Sequence, residues 1–91
     1  MSEPRADRIK RMAMRSMRRG MKEMDILMMR FADHHLATMT EAELDLYDVV
    51  LSENDQDLYL WVTGQAPAPG EIAPMIARIA ETAASGPDPT F

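Results

Sequence analysis

The sequence predicts an all-α fold, a compact bundle of about five short helices. Apolar residues recur at steps of three and four along most of the chain, and no stretch alternates with period two for long enough to form a strand. Glycine, proline and helix-capping residues divide the chain at short intervals. With 91 residues, 46% of them hydrophobic, the chain fits a single helical domain over 1–91. We expect an ordered core over about 5–84 and a flexible tail over 85–91.

The first helix is predicted from about Arg5 to Met17, with an apolar face and a basic face. On a 3.6-residue period, the apolar face carries Ile9, Met12, Ala13 and Met17, and the basic face carries Arg8, Arg11, Arg15 and Arg18. We expect Gly20 to cap this helix, because glycine readily takes the left-handed conformation after a last helical turn. The preceding arginines suit the negative end of the helix dipole.

The second and third predicted helices meet at a capping box. The second helix ends near Thr40 and buries one stripe, which consists of Met24, Leu27, Met28, Phe31, Ala32, His35, Leu36 and Met39. The stretch "TEAE" then begins the third helix, since the Thr40 hydroxyl and the Glu43 carboxylate can each bond the other residue's amide. This third helix runs to about Ser52 and buries Leu44, Tyr47, Val50 and Leu51.

Two further helices complete the predicted bundle. Asn54 or Asp55 can cap a short fourth helix that Gly64 closes, carrying Leu58, Tyr59, Trp61 and Val62. After a proline- and glycine-containing connector, the last helix spans about Glu71 to Ala84, with Pro74 in its first turn. Its apolar face consists of Ile72, Met75, Ile76, Ile79 and Ala83. A frayed tail is indicated by Gly86, Pro87 and Pro89.

The composition excludes several classes of protein. The chain has no cysteine, so disulfides and thiolate metal sites are excluded. No apolar run approaches the roughly 20 residues that a membrane-spanning helix needs. The amino-terminal residues are charged from Glu3 onward and lack the apolar segment of a secretory signal. We therefore expect a soluble cytoplasmic protein without membrane insertion.

Charge is distributed unevenly along the chain. The formal net charge is −5, yet eight of the ten lysines and arginines precede Glu23. The basic first helix could be a solvated face, a nucleic-acid-binding surface or a protein-docking surface. The acidic remainder of the chain and the lack of a clear helix-turn-helix pattern disfavour nucleic acid, but charge alone does not separate the three readings.

No catalytic or metal-binding constellation stands out in the sequence. There is no phosphate-binding glycine loop and no nucleophile paired with a recognisable base. His34 and His35 are adjacent, so on a helix they point in different directions and are poorly placed to hold one metal ion. Asp55 and Asp57 are better explained by capping and solvation than as metal ligands. We expect neither an enzyme nor a metal site.

The chain contains ten methionines, which is unusual for its length. Methionine is an adaptable core residue, and this explains most of the ten. The remainder, such as Met14 or Met21, could instead contribute to a binding surface.

Two stretches of the chain resemble one protein family. The signature "RGMKE", within Arg18–Asp25, is similar to the Arg-Gly-x-x-Glu motif of the succinate dehydrogenase assembly factors, the flavinators. The later stretch "ENDQDLYLWVTGQAPAP" resembles that family's acidic turn, Asp-Leu-aromatic-x-Trp run and Gly-Pro exit. The resemblance extends from Arg15 to about Ile79. The chain departs from the family at Gln56, often a proline, and at Met24, more usually a leucine.

The resemblance implies a chaperone and not an enzyme. Members of this family bind the flavoprotein subunit of succinate dehydrogenase, and in bacteria that of fumarate reductase, and promote covalent attachment of FAD to a histidine of that subunit. FAD would belong to the client, and we expect a free monomer that binds no cofactor stably. The alternative function is a small helical nucleic-acid-binding regulator that uses the basic first helix.

The resemblance also assigns candidate partner-binding residues. The family signature falls on Arg19, Gly20 and Glu23, and proximity extends the surface to Arg15, Met21 and Asp25. Since Gly20 has no side chain, we expect a partner to approach the main chain closely there. Arg19 and Glu23 would flank this point and form charge-assisted hydrogen bonds with the partner.

Overall fold

A computed structural model of the chain describes residues 3–17 and 19–85. The helices are α1 (Arg5–Ser16), α2 (Lys22–His35), α3 (Glu41–Leu51), α4 (Asp55–Val62) and α5 (Ala73–Ser85), with a 3-10 turn at Leu36–Thr38. No strand occurs within these residues, so the predicted all-α bundle is confirmed. Ser85, the first residue of the predicted tail, is the last residue of α5, and the predictions for 86–91 and for Arg18 lie outside the described residues.

Helix α2 occupies the middle of the bundle, in contact with α1, α4 and α5, while α3 contacts α1 and α5. The predicted stripe of α2 faces the core, and only His35 among its members remains half-buried. The helical segments fold into a body of 39 × 31 × 23 Å. In the described parts of the chain, no helix combines the length and the apolar character needed to cross a bilayer.

The end of α2 differs from the prediction. Regular helix stops at His35 and is followed by the 3-10 turn, whereas the sequence pattern placed the end near Thr40. The Thr38 hydroxyl donates to the His35 carbonyl, and the Met39 amide donates to the Leu36 carbonyl. These bonds tighten the last turn, which keeps the apolar spacing while ending the α-helix.

The predicted caps of α3 and α4 are confirmed. Thr40 Oγ1 accepts from the Glu43 amide at 3.1 Å, and Glu43 Oε1 accepts from the Thr40 amide at 2.8 Å. The bond from the Thr40 amide is the main reason that the pKa of Glu43 lies below its ordinary value. Asn54, and not Asp55, caps α4 by accepting from the Gln56 amide at 2.8 Å. Gly64, with φ of 80°, closes α4.

The start of α5 lies two residues later than predicted, at Ala73. The amides of Ile72 and Ala73 both donate to the Pro69 carbonyl, so the chain turns before the helix begins. Pro74 occupies the first helical turn, where its missing amide hydrogen costs no helical bond. The apolar face of α5 is buried as expected at Ile72, Met75, Ile76 and Ile79.

The prediction that Gly20 caps α1 is wrong. Helix α1 ends at Ser16, and its C-cap, Met17, has right-handed helical φ and ψ. The Met17 amide donates to the Met14 carbonyl at 3.1 Å, which closes the last turn without a left-handed residue. Among the described glycines, only Gly64 has a positive φ. Gly20 therefore stands in the connection to α2 for a different reason.

A buried polar contact joins α1 to α3 inside the core. Ser16 Oγ lies 2.6 Å from the Tyr47 hydroxyl and 2.8 Å from the Met12 carbonyl oxygen. Burial raises the pKa of Tyr47 to about 12, so its hydroxyl is protonated at neutral pH. Because the Met12 carbonyl oxygen can only accept, the single hydroxyl hydrogen of Ser16 is used for Met12, and the Tyr47 hydroxyl donates to Ser16.

The chain of bonds through Ser16 predicts unequal losses of stability. Ser16→Ala leaves the buried Tyr47 hydroxyl without an acceptor, so we expect the free energy of unfolding to fall by about 2 kcal/mol. Tyr47→Phe leaves Ser16 bonded to Met12, so we expect a loss of about 1 kcal/mol or less. Urea denaturation followed by circular dichroism measures both values. A larger loss for Tyr47→Phe would contradict the bonding order.

Candidate functional site

The signature segment, Arg19–Glu23, covers the end of the α1–α2 connection and the first residues of α2, and it lies against the corner between α3 and α4. The Arg19 guanidinium enters this corner. Its Nε donates to Asp55 Oδ1 at 2.6 Å, and its terminal nitrogens donate to the carbonyls of Leu51 and Glu53, also at 2.6 Å. The Arg19 side chain is 9% exposed and that of Asp55 14% exposed. The contact is a largely buried ion pair in which each guanidinium nitrogen donates a hydrogen bond.

This ion pair lies between the carboxyl end of α3 and the amino end of α4. Helix α3 ends at Leu51, and the last carbonyls of a helix have no partner within it. A guanidinium suits this position, because the carboxyl end of a helix carries partial negative charge. Asp55 is the first residue of α4, where the partial charge is positive. Each member of the pair is thus favoured by its own helix end as well as by the other.

Two carboxylates hold consecutive amides of the signature. The Arg19 amide donates to Asp25 Oδ1 at 2.5 Å, and the Gly20 amide donates to Asp55 Oδ2. Asp25 belongs to the first turn of α2, and Asp55 to the first turn of α4. The main chain at Arg19 and Gly20 is therefore fixed from two helices at once.

Glycine is favoured at position 20 because Asp55 approaches the main chain closely there. A Cβ atom built on Gly20 would lie 3.1 Å from Asp55 Oδ2, which is tighter than ordinary carbon–oxygen contact. Asp55 has little freedom to move away, since Arg19 and the Gly20 amide both bind its carboxylate. Gly20 itself is exposed, as the sequence analysis expected. The sequence analysis attributed Asp55 to capping and solvation and missed its contact with Arg19 and Gly20, although Asp55 lies in the acidic turn that the family resemblance singled out.

The predicted partner-binding residues lie in one region of the structure, but their side chains differ in exposure and in contacts. Glu23 is exposed on the first turn of α2, and its carboxylate has no ion-pair partner among residues 3–17 and 19–85. Met21 is half-buried against the core, and Asp25 is half-buried beside Arg19. The charged end of Arg19 is bound within the chain. Gly20 and Glu23 are therefore the exposed positions of the signature, and Arg19 is not.

Arg15 links this region to the basic face of α1, which packs against the acidic α3. Three of the ion pairs converge on Asp48, which lies within 3.7 Å of Arg8, Arg11 and Arg15. Further pairs join Arg8 to Asp45, Arg5 and Arg8 to Glu41, and Arg11 to Glu3. The hydrogen bond to Asp45 is the main cause that raises the pKa of Arg8. The charge of this face is largely neutralised within the chain, which disfavours the nucleic-acid reading.

Exposed methionines lie beside the signature segment. Arg11, Met14, Arg15 and Arg19 line an open groove on α1. Met14 is 45% exposed and Met17 is 52% exposed, whereas most of the described methionines are buried in the core. The core role is therefore confirmed for the buried methionines and extends to Met21, whereas a binding role for the exposed Met14 stays a prediction.

The two histidines occupy separate environments. His35 Nε2 lies 3.0 Å from Thr82 Oγ1, and its ring packs on Phe31 with centroids 4.7 Å apart. Burial is the main cause that lowers the pKa of His35. His34 Nδ1 lies 2.8 Å from the carbonyl oxygen of Arg30, at the exposed side of α2. The described part of the chain contains no cluster of three or more side chains suited to a metal ion.

These observations define a class of protein: a small bundle, all-α in its described residues, with a surface loop anchored by a largely buried ion pair. A sequence model described as the flavinator of succinate dehydrogenase matches residues 10–83. The chain belongs to that family.

Relatives from distant organisms agree with the family match. The chain is 45% identical over 63 residues to the mitochondrial succinate dehydrogenase assembly factor 2 of Aspergillus terreus, covering 69% of this chain and 21% of that protein. It is 49% identical over 53 residues to the protein of the same name from Candida glabrata, covering 58% and 35%. The Danio rerio protein of that name is 41% identical over 73 residues, covering 74% and 46%.

The relatives correct the predicted location. Each of these three is named as a mitochondrial protein, so they point to the mitochondrion, and the expectation of a cytoplasmic protein is wrong. The chain spans between about a fifth and just under half the length of these relatives. The residues at its amino terminus, on which the expectation rested, are therefore no guide to location.

The close approach at Gly20 predicts a cost for any added side chain. We expect Gly20→Ala to lower the free energy of unfolding by about 1 kcal/mol, because the new methyl group pushes Asp55 away from its two donors. Gly70→Ala is the matched control, since nothing lies within 4 Å of its Cβ position, and it should cause no loss. Equal effects of the two changes in chemical denaturation would contradict this reason for Gly20.

The difference in burial predicts unequal roles for the two arginines. Arg19→Ala leaves Asp55 without its charge partner, so we expect a loss of about 3 kcal/mol in the free energy of unfolding. The Arg15 side chain is 42% exposed, so Arg15→Ala should cost less than about 1 kcal/mol. Thermal and chemical denaturation of both variants measure the difference. Similar losses at the two positions would show that Arg19 does not anchor the corner.

Proposed function

We propose that this chain binds the flavoprotein subunit of succinate dehydrogenase and promotes the covalent attachment of FAD to it, as an assembly factor and not as an enzyme. The observation that carries the proposal is the hydrogen bonding and the exposure of the signature segment. The family's signature falls on a loop bonded to two helices and on the first turn of α2, with Gly20 and Glu23 exposed to solvent. The match to the family over residues 10–83 supports the choice of client.

A rigid loop is suited to docking. Binding costs less free energy when the contact surface is already ordered in the free protein. The ion pair between Arg19 and Asp55 provides this order at the loop. Gly20 admits close approach of the partner, and the exposed carboxylate of Glu23 accepts hydrogen bonds. Met14 and Met17 add apolar surface whose flexible side chains adapt to the partner.

The chain's contribution to flavin attachment is positional. Once docked, the bundle holds the client so that its histidine and its FAD meet in a reactive arrangement. Alignment of reacting groups can lower a barrier by several kcal/mol, on the order of 7 or more in the best cases. FAD belongs to the client in this proposal, and the chain binds no cofactor stably.

A reconstituted attachment reaction tests the proposal. The flavoprotein subunit, purified without covalent flavin, is incubated with FAD and each variant, and covalent flavin is read from its fluorescence on a denaturing gel. We expect Glu23→Ala to slow attachment about tenfold or more, since it removes a charged hydrogen-bond acceptor from the docking surface, with no change in thermal stability.

Asp33→Ala is the matched control for this reaction. It removes the same charge from an exposed position of α2, about 15 Å further along the helix. Asp33→Ala should support attachment at the wild-type rate. Normal attachment with Glu23→Ala would show that the docking surface is misassigned, and no stimulation by the wild-type chain would refute the proposed function.

A further inference from the structure

We infer that Asp55, which lies outside the signature, is a positioning residue that sets which polar group of the Arg19–Gly20 peptide faces a partner. The inference concerns the same surface as the proposed function and rests on it for the identity of the partner. The geometry of Asp55 itself does not depend on that function. Asp55 reaches the signature across 35 positions of the chain, through the corner between α3 and α4.

The two carboxylate oxygens of Asp55 have different roles. Oδ1 binds the Arg19 guanidinium at 2.6 Å, which fixes the carboxylate in the corner. Oδ2 accepts the Gly20 amide, which fixes the peptide bond that precedes Gly20. The Arg19 side chain therefore holds Asp55, and Asp55 in turn holds the main chain between Arg19 and Gly20.

The orientation of this peptide follows from the contact. The described residues contain no cis peptide bond, and the N–H and C=O groups of a trans peptide point in opposite directions. Because the Gly20 N–H faces Asp55, the Arg19 carbonyl points away from Asp55. A flipped peptide would place a donor where this acceptor now stands.

The chemistry of the partner element follows from that orientation. The Arg19 carbonyl is an acceptor, and the Glu23 carboxylate, exposed in the first turn of α2, is a second acceptor with negative charge. A surface that presents acceptors is complementary to main-chain N–H groups or to lysine and arginine side chains. The structure therefore assigns to this loop a donor-rich element of the flavoprotein subunit.

Asp55 is suited to this role and its neighbour Asp57 is not. Both belong to the first turn of α4, but Asp57 is exposed whereas Asp55 is directed into the corner. Asp55→Asn keeps the size of the side chain and removes the negative charge that binds Arg19. Asp57→Asn makes the same change of charge on the same helical turn, so it is the matched control.

The test has two measurements on the full chain. Hydrogen exchange of the Gly20 amide reports the peptide orientation. The exchange rate is measured by NMR and corrected for any change in global stability. Calorimetry with the purified flavoprotein subunit reports affinity. We expect Asp55→Asn to speed Gly20 exchange and weaken affinity, each by about tenfold or more, because a charge-assisted hydrogen bond is lost. For Asp57→Asn, both values should stay within about twofold of wild type.

Each outcome decides the inference. Gly20 exchange at the wild-type rate in folded Asp55→Asn would overturn the positioning role, and unchanged affinity would overturn its part in docking. If the wild-type chain does not bind the subunit, the proposed function is wrong, and Gly20 exchange still decides the positioning role.

A second variant covers the case in which Asp55→Asn does not fold. Asp55→Glu keeps the charge that binds Arg19, but its extra methylene group displaces the oxygen that accepts the Gly20 amide. We expect a folded protein whose Gly20 exchange is about tenfold faster than in wild type. Wild-type exchange in Asp55→Glu would overturn the inference.

Discussion

One buried ion pair, between Arg19 and Asp55, joins the α1–α2 connection to the α3–α4 corner. A buried pair stabilises a fold only when its remaining donors and acceptors are satisfied. Here the guanidinium also binds the carbonyls of Leu51 and Glu53, and the carboxylate also binds the Gly20 amide. Loss of either charge would leave the other uncompensated, so helix ends, loop and signature form one cooperative unit.

The helices were largely predictable because local signals determine them. The periodic apolar stripe of α2, the capping box at Thr40 and the left-handed Gly64 all depend on residues within a few positions of each other. The prediction that Gly20 caps α1 was wrong for the same reason. A local rule makes glycine after a helix a cap, whereas the structure favours glycine here because a carboxylate 35 positions away approaches its main chain.

The candidate site was predictable only in part. The family resemblance marked the signature and the acidic turn as separate motifs, and the structure shows that they are in contact through Arg19 and Asp55. Sequence spacing cannot tell which carboxylate of the acidic turn enters the corner. Nor could charge distribution along the chain show that the basic face of α1 is matched by Asp48 and its neighbours on α3. Both contacts join residues far apart in the sequence, so local patterns do not predict them.

Arg19 and Asp55 stabilise the chain jointly, so the contribution of each to the free energy of unfolding depends on the presence of the other. A double-mutant cycle with Arg19→Ala, Asp55→Ala and the combined variant, measured by urea denaturation, isolates that coupling. We expect a coupling energy of about 2 kcal/mol or more, as for partners in one buried network. A coupling energy below about 0.5 kcal/mol would mean that the two residues contribute independently, and it would contradict the account.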